Sequence, residues 1–495
     1  MSDFVKVRLE PLGRSVEVER GVSMRDALFA HGVEFPCGGR GKCLRCRVRV
    51  IAGEQPATPE DWRLLGESAV AEGWRLACHA RGVADVTLEI AQWDAAILAD
   101  DSVFEFTPRE GLGIAVDLGT TTLVAQLVDL ATGRVLAVRT ALNPQAVWGA
   151  DIMTRVEHAV RDGGQPALER LVRERIGELA AVVTPKGAAV CEVIVTGNTV
   201  MHHLFCGIDV EPLSHVPFEP VRNGLEQFEA MALGWRIEGN PRVSFLPCLG
   251  GFVGSDILAG LLASRMHESS ALIGLIDLGT NGEILFGTKE RMVCASAAAG
   301  PAFEGGRIST GMRAATGAIA EVAVENGALR AHVLGGGTAR GICGSGLVDA
   351  AAAALDLGLV KPNGRLPGGP LALAESVSLT QRDIRELQLA KAAVAAGVRI
   401  VLERLGATAD DVEKLYLAGA FGNYVNRTSA QRIGLISFPE ETVHPAGNTS
   451  LLGAKMALFA DNLSYRDIVG RVEHIGLASD AYFQDIYVDE MGFPG

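Results

Sequence analysis

One tetrapeptide is written twice in this chain. Residues 114–122 read IAVDLGTTT and residues 275–283 read LIDLGTNGE. In each, an apolar run of strand character ends in Asp-Leu-Gly-Thr. The two aspartates, Asp117 and Asp277, lie 160 positions apart. A strand-to-turn junction repeated at that separation implies two halves built on one plan. Around both copies, apolar strand runs alternate with Ala/Leu-rich helical stretches, the pattern of an α/β domain. The alanine-rich segments 350–355 and 391–397 fall inside helical patterns.

The repeated turns also carry chemistry. A Gly, 119 or 279, makes the tight turn. The hydroxyls and N–H groups of Thr120, Thr121 and Thr122, or of Thr280, Asn281 and Gly282, are then left pointing at an anion. Asp117 and Asp277 are expected to face each other across a cleft, where two carboxylates suit a hydrated Mg²⁺ on a nucleotide. No G-x-x-x-x-G-K-[ST] loop is present.

A second constellation lies near the start. Cys37, Cys43, Cys46 and Cys78 are spaced C-x5-C-x2-C-x31-C. Three ligands on one loop and a fourth from a later strand is how plant-type ferredoxins hold a [2Fe–2S] cluster. Here the first spacing is one residue longer, which resembles the adrenodoxin-type variant. Gly38, Gly39 and Gly41 let the backbone curl around such a cluster. The flanks read as a hairpin, 5–9 with 15–19, then a helix capped at Ser23, with Asp26 three residues on, and stopped at Gly32. Zinc on the same four thiols is the alternative. Structural zinc usually uses two short Cys pairs, and only Cys43–Cys46 is one. After the loop, Arg45, Arg47 and Arg49 share one strand face by period 2. That face is either plainly solvated or a docking rim for an acidic redox partner.

Composition narrows the function class. The net charge is −14, of which residues 1–95 carry −1 and the remainder −13. Nucleic-acid binders usually show a basic footprint, and none is visible overall. Residues 1–26 lack an apolar signal core, and no stretch reaches the length of an apolar membrane helix. Neither nucleic acid nor membrane is an expected partner, and the cytoplasm is the expected compartment. Nine cysteines, unevenly placed, do not suggest a disulfide framework. Cys191, Cys206, Cys248, Cys294 and Cys343 read as small buried hydrophobes, and His202 and His203 as structural.

These strings carry a resemblance. Residues 117–122 and 277–283 are similar to the phosphate-1 and phosphate-2 motifs of the sugar kinase, Hsp70 and actin (ASKHA) superfamily. YLAGAFGN (416–423), with Gly419, Ala420 and Gly422, resembles its adenosine motif. GGFVGSDILAG (250–260) and NTSLLGAKMAL (448–458) resemble its two connecting helices, the first bringing Asp256 as a weaker catalytic candidate. GICGSGLVDA (341–350) and AAGPAFEGGRIST (298–310) either line the cleft or start helices. With the cysteine domain in front, residues 4–460 resemble the reductive activators of corrinoid-dependent enzymes.

The resemblance implies a β-grasp ferredoxin-like domain followed by a duplicated RNase H-like ATPase, α+β and then α/β. The expected boundaries are 1–93 for the ferredoxin-like domain, 94–111 for an acidic linker, 112–270 and 271–461 for the ATPase halves, and 462–495 for a C-terminal extension. It implies ATP and Mg²⁺ handled by Asp117 and Asp277, and an electron from the cluster reducing cob(II)amide to cob(I)amide on the corrinoid protein of a methyltransferase system. A reduced ferredoxin, flavodoxin or reductase would supply the electron, and a homodimer is compatible. The linker runs almost directly into residue 114, which leaves no room for a separate middle domain. The rival readings are a nucleotide-binding iron–sulfur redox sensor and an activator of another low-potential enzyme, such as a 2-hydroxyacyl-CoA dehydratase.

Overall fold

Alternating apolar residues set the first sheet. Val5, Val7 and Leu9 of β1 (Phe4–Glu10) are buried while Lys6 and Arg8 are exposed. β1 pairs antiparallel with β2 (Arg14–Glu19), which is the expected hairpin. The chain is described here by a computed structural model, over residues 3–10, 14–29, 33, 46–90, 104–149, 151–279, 281–312, 314, 317–334, 336–422, 424–460 and 464–495. β3 (Arg47–Gly53), β4 (Trp74–Leu76) and β5 (Val86–Ile90) complete a five-stranded sheet of order β2-β1-β5-β3-β4. A short helix, Arg25–Phe29, follows the hairpin, and Ser23 Oγ accepts from the Arg25 N–H at 3.3 Å. Helix Pro59–Ala71 starts with a reciprocal cap between Thr58 and Asp61. The other Asp61 oxygen accepts from the Leu76 N–H at 2.7 Å, which ties this helix to the strand leading into Cys78.

The remainder is built on two sheets of matching plan. The first uses β6 (Leu112–Leu118), β7 (Thr122–Asp129), β8 (Val135–Leu142), β9 (Val190–Gly197), β10 (Glu226–Glu229) and β11 (Arg242–Phe245), in the order β10-β11-β9-β6-β7-β8. The second begins with β12 (Ile273–Leu278), β13 (Gly282–Gly287) and β14 (Met292–Ala297). Smaller sheets follow, made of β15 (Ala318–Glu325), β16 (Ala328–Val333) and β17 (Gly341–Ile342), and of β18 (Leu371–Ala374) and β19 (Val377–Leu379). The main sheet then resumes with β20 (Lys414–Ala418), β21 (Val443–Gly447) and β22 (Val472–Ile475), giving the order β21-β20-β12-β13-β14-β22. In each sheet the aspartate-bearing strand runs antiparallel to its successor and parallel to a strand that arrives much later in sequence. The duplication legible in one tetrapeptide therefore extends through the topology of both halves.

Residues 464–495 do not stand apart. β22 pairs parallel with β14, and Phe493 is buried in the core of the second half. The alanine-rich segments lie in helices Gly344–Asp356 and Gln381–Leu405, where small side chains let the first pack closely on β15 and the second on β13 and β14. Helices Ser255–Ala263 and Thr449–Ala457 cross with their backbones in contact. A Cβ on Gly453 would stand 2.0 Å from the Ala259 carbonyl oxygen, so only glycine permits this crossing. Among the described residues no helix is long and apolar enough to cross a membrane.

Candidate nucleotide cleft and cluster domain

Strand β6 delivers Asp117 to the end of the first sheet, and a tight hairpin turns the chain into β7. The Gly119 N–H donates to the Thr122 carbonyl at 3.1 Å, and a Cβ on Gly119 would stand 2.5 Å from the same oxygen. The turn is braced from outside. Asn143 donates through Nδ2 to the Gly119 carbonyl at 3.0 Å and through its backbone N–H to the Thr121 carbonyl at 2.8 Å. The fully buried Arg155 donates to the Thr120 carbonyl at 2.7 Å, and Asn198 donates to Thr120 Oγ1 at 3.0 Å. With these carbonyls and the Gly119 N–H engaged, an anion would meet the amides of Thr120 and Thr121.

The second hairpin turns over one residue fewer, with Leu278 paired to Gly282 where Leu118 pairs with Leu123. The Gly279 N–H donates to the Asn281 carbonyl at 3.0 Å, and β12 pairs with β13 so that Asp277 stands opposite Glu283. Thr280 lies outside the described residues. The repeat thus brings a carboxylate with it that the tetrapeptide did not contain.

Four carboxyl groups, Asp117, Asp256, Asp277 and Glu283, converge in the cleft, each partly accessible to solvent. Asp117 is held by two side chains of the second connecting segment. Asn448 Nδ2 donates to Oδ2 at 2.8 Å and Ser450 Oγ donates to Oδ1 at 2.9 Å. Burial raises its pKa, and those two hydrogen bonds oppose the shift. Burial and the Asp117 charge push Asp277 up to about 7. Burial, then Asp277 and Asp117, push Asp256 up to about 8. Glu283 is raised well above the usual carboxylate range by burial and by its neighbours Asp256 and Asp277. Desolvated like charges of this kind are relieved by a cation. Among the described residues, however, no three His, Cys, Asp or Glu side chains form a ready metal cage. Carboxyl groups so placed could hold a hydrated cation that arrives with phosphates.

Gly419 begins the adenosine-type turn after β20 with φ +79°, and a Cβ there would stand 2.3 Å from Asp277 Oδ1. Only glycine allows this turn to close on that carboxylate. Ala420 and Gly422 follow in the short helix Gly419–Gly422. A cavity of about 340 Å³ borders Gly422, with Leu417, Asn426 and Pro445 among its lining. Phe303 stacks on Phe421 at 4.6 Å, so segment 298–310 packs against the adenosine turn, while Gly344 opens a helix at 341–350. Thr196, next to Asp117 across the sheet, lies 2.9 Å from Ser450 through its hydroxyl.

In the N-terminal sheet, Cys46 and Cys78 are both buried, and neither is in a disulfide. The Ala77 N–H donates to the Cys46 carbonyl at 2.7 Å, which sets the two thiols at neighbouring strand ends within one apolar cluster. Two buried soft donors in an apolar pocket fit an iron–sulfur centre. Cys37 and Cys43 lie outside the described residues. Arg47 and Arg49 both place their guanidinium 5.7 Å from the centre of the Trp74 ring, but Arg49 also pairs with Glu89 at 2.6 Å. That face therefore carries mixed charge.

His202 and His203 are buried and hydrogen-bonded to the Gly224 and Thr199 carbonyls, in keeping with a structural role. Cys191 is exposed, unlike Cys206, Cys248, Cys294 and Cys343. The sequence reading missed Glu283, Asn448 and Ser450 as site residues. Glu283 had a signal, since a hairpin turning at Gly279 pairs it with Asp277. The other two had none beyond their place at a helix start.

Family models match three parts of the chain: residues 7–81 as a 2Fe-2S iron-sulfur cluster binding domain, 112–269 as the RACo middle region, and 271–495 as the C-terminal domain of RACo, the ASKHA domain. The family's middle region is thus the first of the two matching sheets, not a further domain before it. The chain is 32% identical over 435 residues to a protein of Eubacterium limosum described as the corrinoid activation enzyme RamQ, covering 79% of this chain and 73% of that protein. It is 28% identical over 418 residues to a Methanosarcina barkeri protein described as a [Co(II) methylated amine-specific corrinoid protein] reductase, with 77% of each covered. A solved structure titled a reductive activator for corrinoid,iron-sulfur protein superposes with a TM-score of 0.67 at 25% identity, covering 99% of this chain and 98% of that one.

Proposed function

Because the chain belongs to the family of reductive activators of corrinoid proteins, we propose that it converts the cob(II)amide of a methyltransferase system's corrinoid protein to cob(I)amide at the expense of ATP. The observation that carries this reading is one chain joining a [2Fe–2S]-type domain to a cleft with four converging carboxyl groups between two matching hairpins. When bound, the cluster supplies a one-electron carrier at a potential near about −400 mV for plant-type centres. Cys37, Cys43, Cys46 and Cys78 would hold it. The cob(II)/cob(I) step lies lower, so a second source of free energy is required.

The cleft residues divide that work. The turn at Gly119 would present the amides and hydroxyls of Thr120, Thr121 and Thr122 to one side of the phosphate chain. The turn at Gly279 would present Thr280, Asn281 and Gly282 to the other. Asp117 and Asp277, with Asp256 and Glu283 behind them, would hold hydrated Mg²⁺ and orient the attacking water. Gly419, Ala420 and Gly422 would let the backbone approach the nucleoside. Asn448 and Ser450 keep the Asp117 carboxylate aimed. The reading places residues 1–93 as the cluster domain, 94–111 as linker, 112–270 and 271–461 as the two halves of the ATPase, and 462–495 as an addition to the second sheet. The electron would come from a reduced ferredoxin, flavodoxin or reductase in the cytoplasm.

The test mixes reduced protein with a cob(II)amide-loaded corrinoid protein and follows cob(I)amide by its absorption. Little product is expected without ATP and much more with it. Equal yields in both arms would overturn the coupled reading.

A further inference from the structure

The segment joining the cluster domain to the cleft is anchored at one place. Phe104 and Phe106 are half-buried while Glu105 and Thr107 between and after them are exposed. Phe106 lies 4.6 Å from Phe459 and Phe104 lies 5.7 Å from it, ring centre to ring centre. The Lys455 ammonium sits 5.2 Å from the centre of the Phe104 ring. Arg109 donates to the Leu458 carbonyl at 2.9 Å, and its own backbone N–H donates to the Leu130 carbonyl at 3.0 Å. Leu458 also fills the space beside Gly113, where a Cβ would stand 2.8 Å from its methyl carbon.

Lys455, Leu458 and Phe459 all stand at the C-terminal end of helix Thr449–Ala457. The opposite end of that helix carries Asn448 and Ser450, which hold Asp117. From the anchor the chain runs on into β6, which carries Asp117 next to its far end, Leu118. A ring therefore closes: Asp117, back along β6 to Arg109, across to Leu458, along the helix to Ser450, and back to Asp117. The strand side spans roughly 17 Å from Leu112 to Asp117 at about 3.3 Å per residue, and the helix side about 12 Å from Ser450 to Leu458 at about 1.5 Å per residue. Both sides are stiff elements, and the ring has the nucleotide cleft at one end and the linker at the other.

We propose that this ring transmits the occupancy of the cleft to the linker that carries the cluster domain, with Phe106, Phe459 and Lys455 as positioning residues. The proposal rests on the reading of the cleft as a nucleotide site. A cation and phosphates drawn against Asp117 change the pull on Asn448 and Ser450. The helix lies backbone to backbone on Ser255–Ala263 through Gly453, and such packed helices answer a pull by small rigid-body shifts. Its far end then displaces the aromatic anchor and with it the direction in which the linker leaves.

Hydrogen exchange on the full chain tests this, with and without Mg²⁺ and a non-hydrolysable ATP analogue. Exchange in residues 104–110 is expected to change by about fivefold or more on binding. Phe106→Ala and Phe459→Ala are expected to bind the analogue within about twofold of the unaltered chain, since neither ring touches the cleft. Both should lose the response at 104–110 and yield less cob(I)amide per ATP hydrolysed. Phe106→Leu, which keeps an apolar contact, should restore part of it, and an unchanged melting temperature separates lost transmission from lost folding. Analogue binding with unaltered exchange at 104–110 would overturn the ring alone. No analogue binding would sink the reading of the cleft and the ring with it. An undiminished cob(I)amide yield from Phe106→Ala would also overturn it.

Discussion

Asn448 donates its side-chain amide to the Asp117 carboxylate at 2.8 Å, across 331 residues of sequence. With Ser450 on the other oxygen at 2.9 Å, it fixes the rotamer of the aspartate that opens the first hairpin. Asp277 has a different support: the left-handed turn at Gly419 presses on it where any Cβ would collide. The two halves of the duplication thus hold equivalent carboxylates by unlike means.

Loss of either aspartate should stop turnover. Asp117→Ala and Asp277→Ala are each expected to slow ATP hydrolysis by on the order of 10²-fold or more, through lost positioning and lost electrostatic stabilisation. Phosphate release measures it. Wild-type turnover in both variants would remove the cleft from the mechanism.

Gly419→Ala places a methyl group 2.3 Å from Asp277 Oδ1 in a backbone conformation that costs a non-glycine residue about 1–2 kcal/mol. Nucleotide affinity by calorimetry should fall at least about tenfold. The ferredoxin-like visible spectrum should stay as it was.

The cluster and the cleft should separate by mutation. Cys78→Ala is expected to lose acid-labile sulfide and the ferredoxin-like EPR signal while ATP hydrolysis continues. Stoichiometric zinc in anaerobically purified wild-type protein, without labile sulfide, would refute the cluster assignment.

Without nucleotide, stability should depend on pH. Asp277 and Asp256 take up protons near about 7 and about 8 in the folded chain, far above the 3.8 of an ordinary aspartate. The folded state therefore binds more protons than the unfolded one between those values. The stabilisation from protonating these groups is lost as pH rises through about 7 to about 8. The melting temperature of nucleotide-free protein should fall as pH rises from about 4 through about 7 to about 8, and level off above that. Asp256→Asn should flatten that slope. An equal slope in the variant would place the titration elsewhere.

Much of the site was legible before any fold was known, because its chemistry is written locally. Asp117 and Asp277 end apolar strands, Gly119 and Gly279 follow at fixed spacing, and period-2 alternation in 5–9 and 15–19 marks a hairpin. Each signal needs only a few consecutive residues. Glu283 was readable in principle but easily passed over, since it becomes a neighbour of Asp277 only once the hairpin register is known.

What tertiary structure alone decided is what lies between distant segments. No local pattern says that Ser450 reaches Asp117, that Gly419 presses on Asp277, or that Phe106 rests on Phe459. Those contacts depend on how closely two helices cross, and a single missing Cβ at Gly453 against the Ala259 carbonyl sets that distance. The shifted carboxyl groups have the same origin. The sequence determined which four acids are present, whereas the packing that partly buries them and holds their charges together determined that they stand as one cluster with shifted pKa values.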